Sequence, residues 1–148
     1  MTNDPWQERS PRDAAEWERY YDLRWRVLRE PWAQPRGSER DSLDSEAVHA
    51  AIWDDDRPLA AGRLHFNSPA EAQVRYMAVD ESCRGKGLGS RILATLEARA
   101  VEAGAELMVL NAREEAAPFY LRHGYEAIGS AGVLFGAIPH FKMRKRLR

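Results

Sequence analysis

The segment YMAVDESCRGKGLGSRILATLE, residues 76–97, decides the fold. A β-rich apolar run that ends at Asp80 passes through three alternate glycines into a stretch with helical periodicity. Apolar residues recur at positions 92, 93, 96 and 100, which share one face of a helix. We place that helix from about Leu88, with its carboxyl end near Gly104. A strand that leads through a glycine loop into an amphipathic helix predicts a βα unit of an α/β domain.

The alternate glycines at positions 85, 87 and 89 predict an anion site. Glycine has no Cβ atom, so a ligand can approach the backbone closely, and the helix start adds unpaired amides and a positive dipole end. Arg84 and Lys86 place positive charge at the rim. A Walker A loop and a dinucleotide fingerprint are both excluded, the latter because Ser90 stands where a third glycine is needed. We expect a loop suited to a pyrophosphate; a merely flexible turn is the alternative.

The remaining patterns predict a mixed sheet covered by helices. Residues 14–30 have helical periodicity behind a capping box formed by Asp13 and Glu16. Strands are predicted at residues 47–54, 58–66, 73–80, 107–112, 125–130 and 137–147, and a short helix at residues 114–123. The helix between residues 74 and 111 makes a crossover, which favours two parallel strands. Residues 1–12 are polar and predict a loose lead-in.

Length and composition limit the class of protein. The chain has 148 residues, which predicts a single domain over residues 1–148. A net charge of −1 gives no basic field for nucleic acid, and no apolar run approaches the length of a membrane span. Cys83 is the only cysteine in the sequence, so no intrachain disulfide forms. No cluster has metal-ligand spacing. We therefore expect a soluble, cytoplasmic protein without metal, nucleic-acid or membrane partners.

Two motifs carry a resemblance to a known family. Arg84-Gly85-Lys86-Gly87-Leu88-Gly89 resembles the Arg/Gln-x-x-Gly-x-Gly/Ala signature of the GCN5-related N-acetyltransferase (GNAT) superfamily. The later segment NAREEAAPFYLRHGYEAIG, residues 111–129, is similar to a second family pattern in which Phe-Tyr precedes Gly-Tyr. The closing AIPHFKM, residues 137–143, resembles an uncharacterised bacterial branch. The resemblance covers about residues 45–145.

The resemblance implies a fold and a cosubstrate site. It implies a GNAT-like mixed central sheet of about six to seven strands flanked by helices, in which two parallel strands splay apart to admit acetyl-CoA. Main-chain groups of Met77 and Val79 would pair with the pantetheine arm, and an N–H near Val79 would polarise the thioester carbonyl. Asn111 would bind the pantetheine. The pyrophosphate would be held by the amides of Arg84, Gly85, Lys86, Gly87, Leu88, Gly89 and Ser90.

Tyr120 matches the usual general acid of the family and would also contact the cosubstrate. A phenol near the sulfur can protonate the departing thiolate. The alternative is a core tyrosine, although Phe119 beside it would fill that structural role.

The general base is left open by the sequence. His140 is favoured, because it belongs to the closing phrase and its strand borders the acceptor site in the family. Gln73 and Arg75 share a face with Met77 on the strand where some relatives carry a glutamate base, but neither is a convincing base. The further candidates are His65, Glu30 and Asp44, and water is another. His123 is interpreted as a helix-end residue.

The resemblance implies transfer of an acetyl group from acetyl-CoA to a primary amine of a small molecule, by direct attack on the thioester. Two alternatives remain: acetylation of a protein lysine or N-terminus, and a non-catalytic acyl-CoA sensor. A homodimer is compatible with the family.

Overall fold

The computed structural model describes residues 5–147, which form a mixed α/β fold. These residues form three α-helices, α1 Ala14–Leu28, α2 Leu88–Glu102 and α3 Ala117–Arg122. The seven strands in the described range are β1 Gln7–Arg9, β2 Val48–Asp54, β3 Arg57–Ser68, β4 Glu71–Val79, β5 Leu107–Arg113, β6 Glu126–Leu134 and β7 Ile138–Arg146. The predicted mixed sheet flanked by helices is confirmed. None of the helices formed by residues 5–147 has the length and apolar character needed to cross a membrane.

The seven strands form one sheet with a gap in its middle. Their order is β1-β2-β3-β4-β5-β7-β6, and every neighbouring pair is antiparallel except β4 and β5. The parallel pair is held only where residues 71–73 lie beside residues 107–109. Beyond that point the two strands share no further pairing, which confirms the predicted splay of two parallel strands. Helix α2 makes the crossover between them.

A β-bulge interrupts β4 at the edge of this gap. Ala61 pairs with Ala78, yet Arg63, two residues further, pairs with Arg75, so β4 carries one extra residue there. Tyr76, within this stretch, has a φ of +58°, a left-handed conformation that is rare for a bulky residue. A bulge bends its strand and increases its twist, which agrees with the departure of β4 from β5.

The sheet separates two cores. Helix α2 covers one face through Ile92, Leu93 and Leu96, which pack with the β2 residues Ala50 and Ile52. Helix α1 covers the other face, where a smaller core consists of Tyr20, Leu23, Ala51, Trp53 and Ala61. Alternate residues of β2 belong to different cores, as the two-residue period of a strand requires. We call these surfaces the α2 face and the α1 face.

Gly62 allows α2 to approach the sheet closely. A Cβ atom at this position would lie 2.5 Å from Cγ2 of Ile92 and 2.6 Å from Sδ of Met77. Both distances are shorter than non-bonded carbon and sulfur atoms tolerate. The absence of a side chain at residue 62 therefore sets the distance between α2 and β3.

Helix α1 begins as predicted and ends earlier. The Asp13 side chain accepts a hydrogen bond of 2.9 Å from the amide of Glu16, which confirms the cap. The predicted end at residue 30 is wrong, because the α-helix stops at Leu28 and a 3₁₀ turn follows over Glu30–Trp32. Pro31 explains the change, since a proline disfavours the α conformation of the residue before it.

The predicted lead-in over residues 1–12 is wrong for residues 7–9, which form β1 at the edge of the sheet. The Arg9 guanidinium forms a 2.7 Å ion pair with Glu16 and lies 4.6 Å from the ring centroid of Trp53. Trp6 packs against the core on the α2 face. These contacts join a polar segment to distant residues, so its local composition did not predict them. The lead-in interpretation of residues 1–4 lies outside the described range.

Candidate active site

A cleft of about 640 Å³ lies where β4 and β5 diverge. Beyond Gln73, the edge of β4 that faced β5 has no strand partner among residues 5–147, so its main-chain groups are open to a ligand. The cleft brings together five residues predicted from the sequence: Met77, Arg84, Asn111, Tyr120 and His140. Its wall is formed by β4, β5, α3, β6 and β7, together with the carboxyl end of α1, Arg84 and the turn before α3.

The glycine loop, residues 84–90, follows the carboxyl end of β4. Gly85 and Gly87 have φ values of +82° and +76°, and a Cβ atom at either position would meet no atom within 4 Å. Gly87 caps α2 without a side-chain hydrogen bond, and the first turn of α2 contains no acidic residue. The first-turn amides and the positive dipole end are therefore available to an anion. Arg84 and Lys86 beside them are exposed.

Gly89 serves a different purpose from the other two glycines. It lies within α2, and a Cβ atom there would sit 3.5 Å from Cζ of Phe119, an ordinary van der Waals distance. Phe119 belongs to α3, so position 89 is where the loop meets the helix that carries Tyr120. The three glycines thus combine two left-handed turns with one helix–helix contact.

Ser90 connects the loop to α3 a second time. Its hydroxyl lies 2.9 Å from Nε2 of His123, whose ring packs 4.7 Å from the Phe119 ring. His123 is the carboxyl cap of α3, in agreement with its interpretation as a helix-end residue. Its contact with Ser90 was not predicted from the sequence. The two residues are separated by more than thirty positions in the chain, so no local pattern links them.

Tyr120 belongs to both the core and the cleft. Its ring packs edge-on against Phe119 and Tyr125, at centroid distances of 5.0 and 5.8 Å. The residue lines the cleft, and its hydroxyl has no hydrogen-bond partner among residues 5–147. Burial raises the pKa of this phenol, so the group stays neutral near pH 7 and keeps a proton to donate.

His140 lies on β7 at the opposite wall of the cleft. Its Nδ1 is 2.9 Å from the carbonyl oxygen of Ile138. A carbonyl only accepts, so Nδ1 carries the proton and the neutral ring keeps a lone pair on Nε2. In the β5–β7 pairing His140 lies directly opposite Arg113, and both residues line the cleft.

Asp44 and His65 are occupied by contacts outside the cleft lining. Asp44 is buried and ion-paired with Arg24 at 3.2 Å and Arg63 at 2.9 Å. Burial alone would raise the pKa of Asp44, but the Asp41 amide and the two guanidinium groups lower it overall. His65 accepts a 3.0 Å hydrogen bond from Arg63 on Nδ1, and burial lowers its pKa. Neither side chain has a free basic site that faces the cleft.

Glu30, Gln73 and Arg75 differ in where they lie relative to the cleft. Glu30 is exposed and is not part of the cleft wall. Gln73 lines the cleft but accepts a 3.0 Å hydrogen bond from Asn67. Arg75 also lines the cleft, and its guanidinium forms a 2.9 Å ion pair with Asp41.

Tyr76 was missed by the sequence analysis, although it is surrounded by charge. Four arginines approach its ring: the guanidinium carbons of Arg24, Arg63, Arg75 and Arg29 lie 3.9, 4.9, 4.6 and 5.6 Å from the centroid. Its hydroxyl donates a long hydrogen bond of 3.4 Å to Asp41. The ring thus lies among arginine side chains at the wall of the cleft, and Asp41 and Asp44 compensate part of their positive charge.

Comparisons with known proteins agree with this geometry. The sequence model of the acetyltransferase (GNAT) family matches residues 17–125. The uncharacterised N-acetyltransferase YjcF of Bacillus subtilis (strain 168) is 34% identical over 111 residues, which cover 75% of this chain and 79% of that protein. A putative N-acetyltransferase from Lactobacillus plantarum superimposes with a TM-score of 0.83 at 22% identity, covering 97% and 99% of the two chains. An aminoglycoside 6'-N-acetyltransferase complexed with coenzyme A superimposes with a TM-score of 0.79 at 16% identity, covering 97% of each chain. These two structural similarities show a shared fold.

Proposed function

Because the chain belongs to the acetyltransferase (GNAT) family and is therefore an acetyl-transferring enzyme, we propose that it moves the acetyl group of acetyl-CoA to a primary amine of a small molecule. One observation carries the proposal. The open edge of β4, Arg84 at the start of the glycine loop, and Tyr120 all line a single cleft. The loop would hold the pyrophosphate, and the open edge would pair with the amide groups of pantetheine as an added strand does.

The residues present fit this cosubstrate. Gly85 and Gly87 leave their surroundings empty on the side where a Cβ atom would project, so phosphate oxygens can reach main-chain amides. Arg84 lines the cleft from the same loop and supplies positive charge. The structurally similar aminoglycoside 6'-N-acetyltransferase binds coenzyme A. That likeness supports CoA as the ligand of this cleft.

The proposed chemistry uses one residue on each wall of the cleft. The His140 Nε2 lone pair accepts a proton from the acceptor ammonium, directly or through water, and frees the amine lone pair. The amine nitrogen then bonds to the thioester carbonyl carbon, and the bond from that carbon to sulfur breaks. Tyr120 donates its proton to the departing sulfur. The attached nitrogen then loses its second proton to water, Tyr120 regains a proton from solvent, and His140 releases its proton to solvent. The products are an acetylated amine and CoA thiol.

The size of the cleft favours a small acceptor over a protein. Its volume of about 640 Å³ lies within the range of small-molecule pockets, about 300–1,000 Å³. The pantetheine arm would occupy a large part of this space. What remains suits a compact amine.

Titration calorimetry with acetyl-CoA tests the donor. Binding is expected, and its absence would reject the proposal. Gly87→Ala should weaken binding about tenfold or more, because it disturbs amides that bond to a charged group. Gly104→Ala is the matched control: both glycines have left-handed φ values, +76° and +93°, and lie at opposite ends of α2. Equal losses of affinity in the two variants would show that strain, rather than the loop, is responsible.

A thiol-release assay separates the candidate activities. Turnover with small amines and not with lysine peptides or peptide N-termini is the expected result. Faster turnover with peptides would instead support protein acetylation. Binding of acetyl-CoA with no turnover on any amine would favour the acyl-CoA sensor.

A further inference from the structure

Two arginines converge on one carbonyl at the end of α1. Arg29 Nη1 and Arg113 Nη2 donate to the carbonyl oxygen of Leu28 over 3.1 and 2.9 Å. Arg29 follows the last helical residue and is only 7% exposed, whereas Arg113 is the final residue of β5. Both line the cleft. We call them the arginine pair.

Carboxylates compensate little of the charge of the arginine pair, although the Tyr76 and Phe135 ring centroids lie 5.6 and 5.4 Å from the Arg29 guanidinium carbon. Within the described chain no carboxylate lies within 4.0 Å of the Arg29 guanidinium, which also donates to the Ser38 carbonyl oxygen. The carboxylate nearest to Arg113 belongs to Glu115, at 4.0 Å and on a side chain that is 73% exposed. Burial lowers the pKa of both guanidinium groups, and the charges of Arg75 and Arg113 lower the pKa of Arg29 further, against an opposing effect of Tyr76. Two like charges that share one acceptor, one of them buried and the other half-buried, would be stabilised by an anion between them.

The arginine pair lies away from the predicted pyrophosphate loop. Leu28 belongs to α1, so its carbonyl holds both guanidinium groups on the α1 face. The glycine loop starts α2, which covers the opposite face. A ligand that enters from the α2 face therefore meets Arg84 first and the arginine pair last. Arg75, the remaining arginine of the cleft wall, is already paired with Asp41.

Arg113 also lies at a defined position relative to His140, the proposed base. It is paired across β5 and β7 with His140, and directly opposed residues project to the same side of a sheet. A small molecule with an amine beside His140 would therefore place a second group, a few bonds away, beside Arg113. The fork of a guanidinium matches a carboxylate best.

We propose that the acetyl acceptor carries a carboxylate, which Arg29 and Arg113 bind while its amine faces His140. This inference rests on the proposed function. It narrows the acceptor class from primary amines in general to amino-acid-like amines.

Matched CoA thioethers test the anion site without knowledge of the acceptor. In one series the sulfur carries alkyl arms of increasing length that end in a carboxylate. In the other series the arms end in a primary amide. Calorimetry should show that the carboxylate binds about 10- to 100-fold tighter than the amide at the arm length that reaches the pair. Equal affinities, within about twofold at every length, would overturn the proposal.

Three variants assign the preference to residues. Arg113→Gln should reduce the carboxylate preference about tenfold, with plain CoA affinity as the check that the cleft is intact. Arg113→Lys keeps the charge but loses the fork, so it should reduce the preference less than Arg113→Gln does. An unchanged preference in Arg113→Gln would overturn the proposal. Arg99→Gln is the control, because Arg99 is exposed on α2 and paired with Glu102. It should leave the preference unchanged.

Failure of this inference can be separated from failure of the proposed function. If plain CoA and acetyl-CoA do not bind, the proposed function is wrong. If they bind and the two arms do not differ, only the anion site is wrong. A thiol-release assay with amino acids and their amides then gives the same comparison for turnover.

Discussion

The two faces of the sheet differ in the interactions that stabilise them: apolar packing on the α2 face and buried ion pairs on the α1 face. On the α2 face the core is apolar, and the candidate ligand site is built from main-chain amides exposed by glycines. On the α1 face Arg24 and Arg63 are fully buried and are balanced by Asp41 and Asp44. A main-chain site is specified by a few adjacent residues, whereas a charge network needs contributions from distant ones. The first suits a cosubstrate shared by a family, and the second suits an acceptor that differs between its members.

Removing Arg63 should break the α1 face and give the largest effect. Arg63→Ala leaves the carboxylates of Asp41 and Asp44 partly uncompensated, and loss of one partner from a buried ion pair costs about 3–5 kcal/mol. Urea unfolding measures the loss in the free energy of unfolding. Arg99→Ala, at an exposed site on α2, should stay within about 0.5 kcal/mol. A loss below about 1 kcal/mol for Arg63→Ala would mean that the network contributes little to stability.

Tyr120→Phe tests the chemistry proposed for the α2 side of the cleft. Removal of a general acid should lower kcat by about 100-fold or more, while acetyl-CoA affinity changes little. Steady-state thiol release and calorimetry measure the two quantities. Tyr125→Phe is the matched control, because Tyr125 is also buried but donates its hydroxyl to Glu97 over 2.7 Å. If the two variants have the same kcat, Tyr120 is not the acid.

Gly62→Ala should disturb the α2 face alone. The added methyl overlaps Ile92 and Met77, and such overpacking costs about 1–3 kcal/mol of unfolding free energy. The double variant with Ile92→Ala removes the clashing methyl, so its loss should be smaller than the sum of the single losses by about 0.5 kcal/mol or more. Strict additivity in urea unfolding would show that the helix simply moves away.

Acid should weaken the α1 face first and gives the smallest effect. Burial alone would raise the pKa of Asp41, but hydrogen bonds from Arg63 and the Leu43 amide lower it from 3.8 to about 2. A carboxyl with a lowered folded pKa stabilises the fold above its unfolded pKa. That stability is lost as pH falls from about 4 towards 2. Unfolding free energy measured across this range should fall less steeply in Asp41→Asn than in the wild type. Parallel curves would exclude Asp41 as a contributor.

The sequence predicted what depends on neighbouring residues. The cap at Asp13, the crossover through α2 and the glycine loop follow from local spacing, and the structure contains all three. Tyr120 and His140 were proposed through family resemblance, and the structure places both at one cleft without testing their roles.

The structural features that the sequence did not predict share a physical cause. The strand at residues 7–9, the hydrogen bond between Ser90 and His123, and the convergence of Arg29 and Arg113 all join distant parts of the chain. The bulge at Tyr76 is local, but its sequence has no glycine to indicate a left-handed residue. Long-range charge compensation and strained backbone are properties of the assembled fold, so no spacing within one sequence reports them.

The bulge at Tyr76 shifts the side-chain alternation of β4 by one residue at the edge of the cleft. Side chains of β4 alternate in step with those of β3 up to Arg75 and resume from Ala78, offset by one residue. Deleting one residue here would restore the step, turn one set of side chains to the opposite face and remove a reason for β4 to leave β5. A sequence alignment that places a gap at this position would then assign the later residues of β4 to the wrong face of the sheet. One additional residue in β4 thus coincides with the place where the sheet opens, so the number of residues in a strand bears on the shape of the site as their identity does.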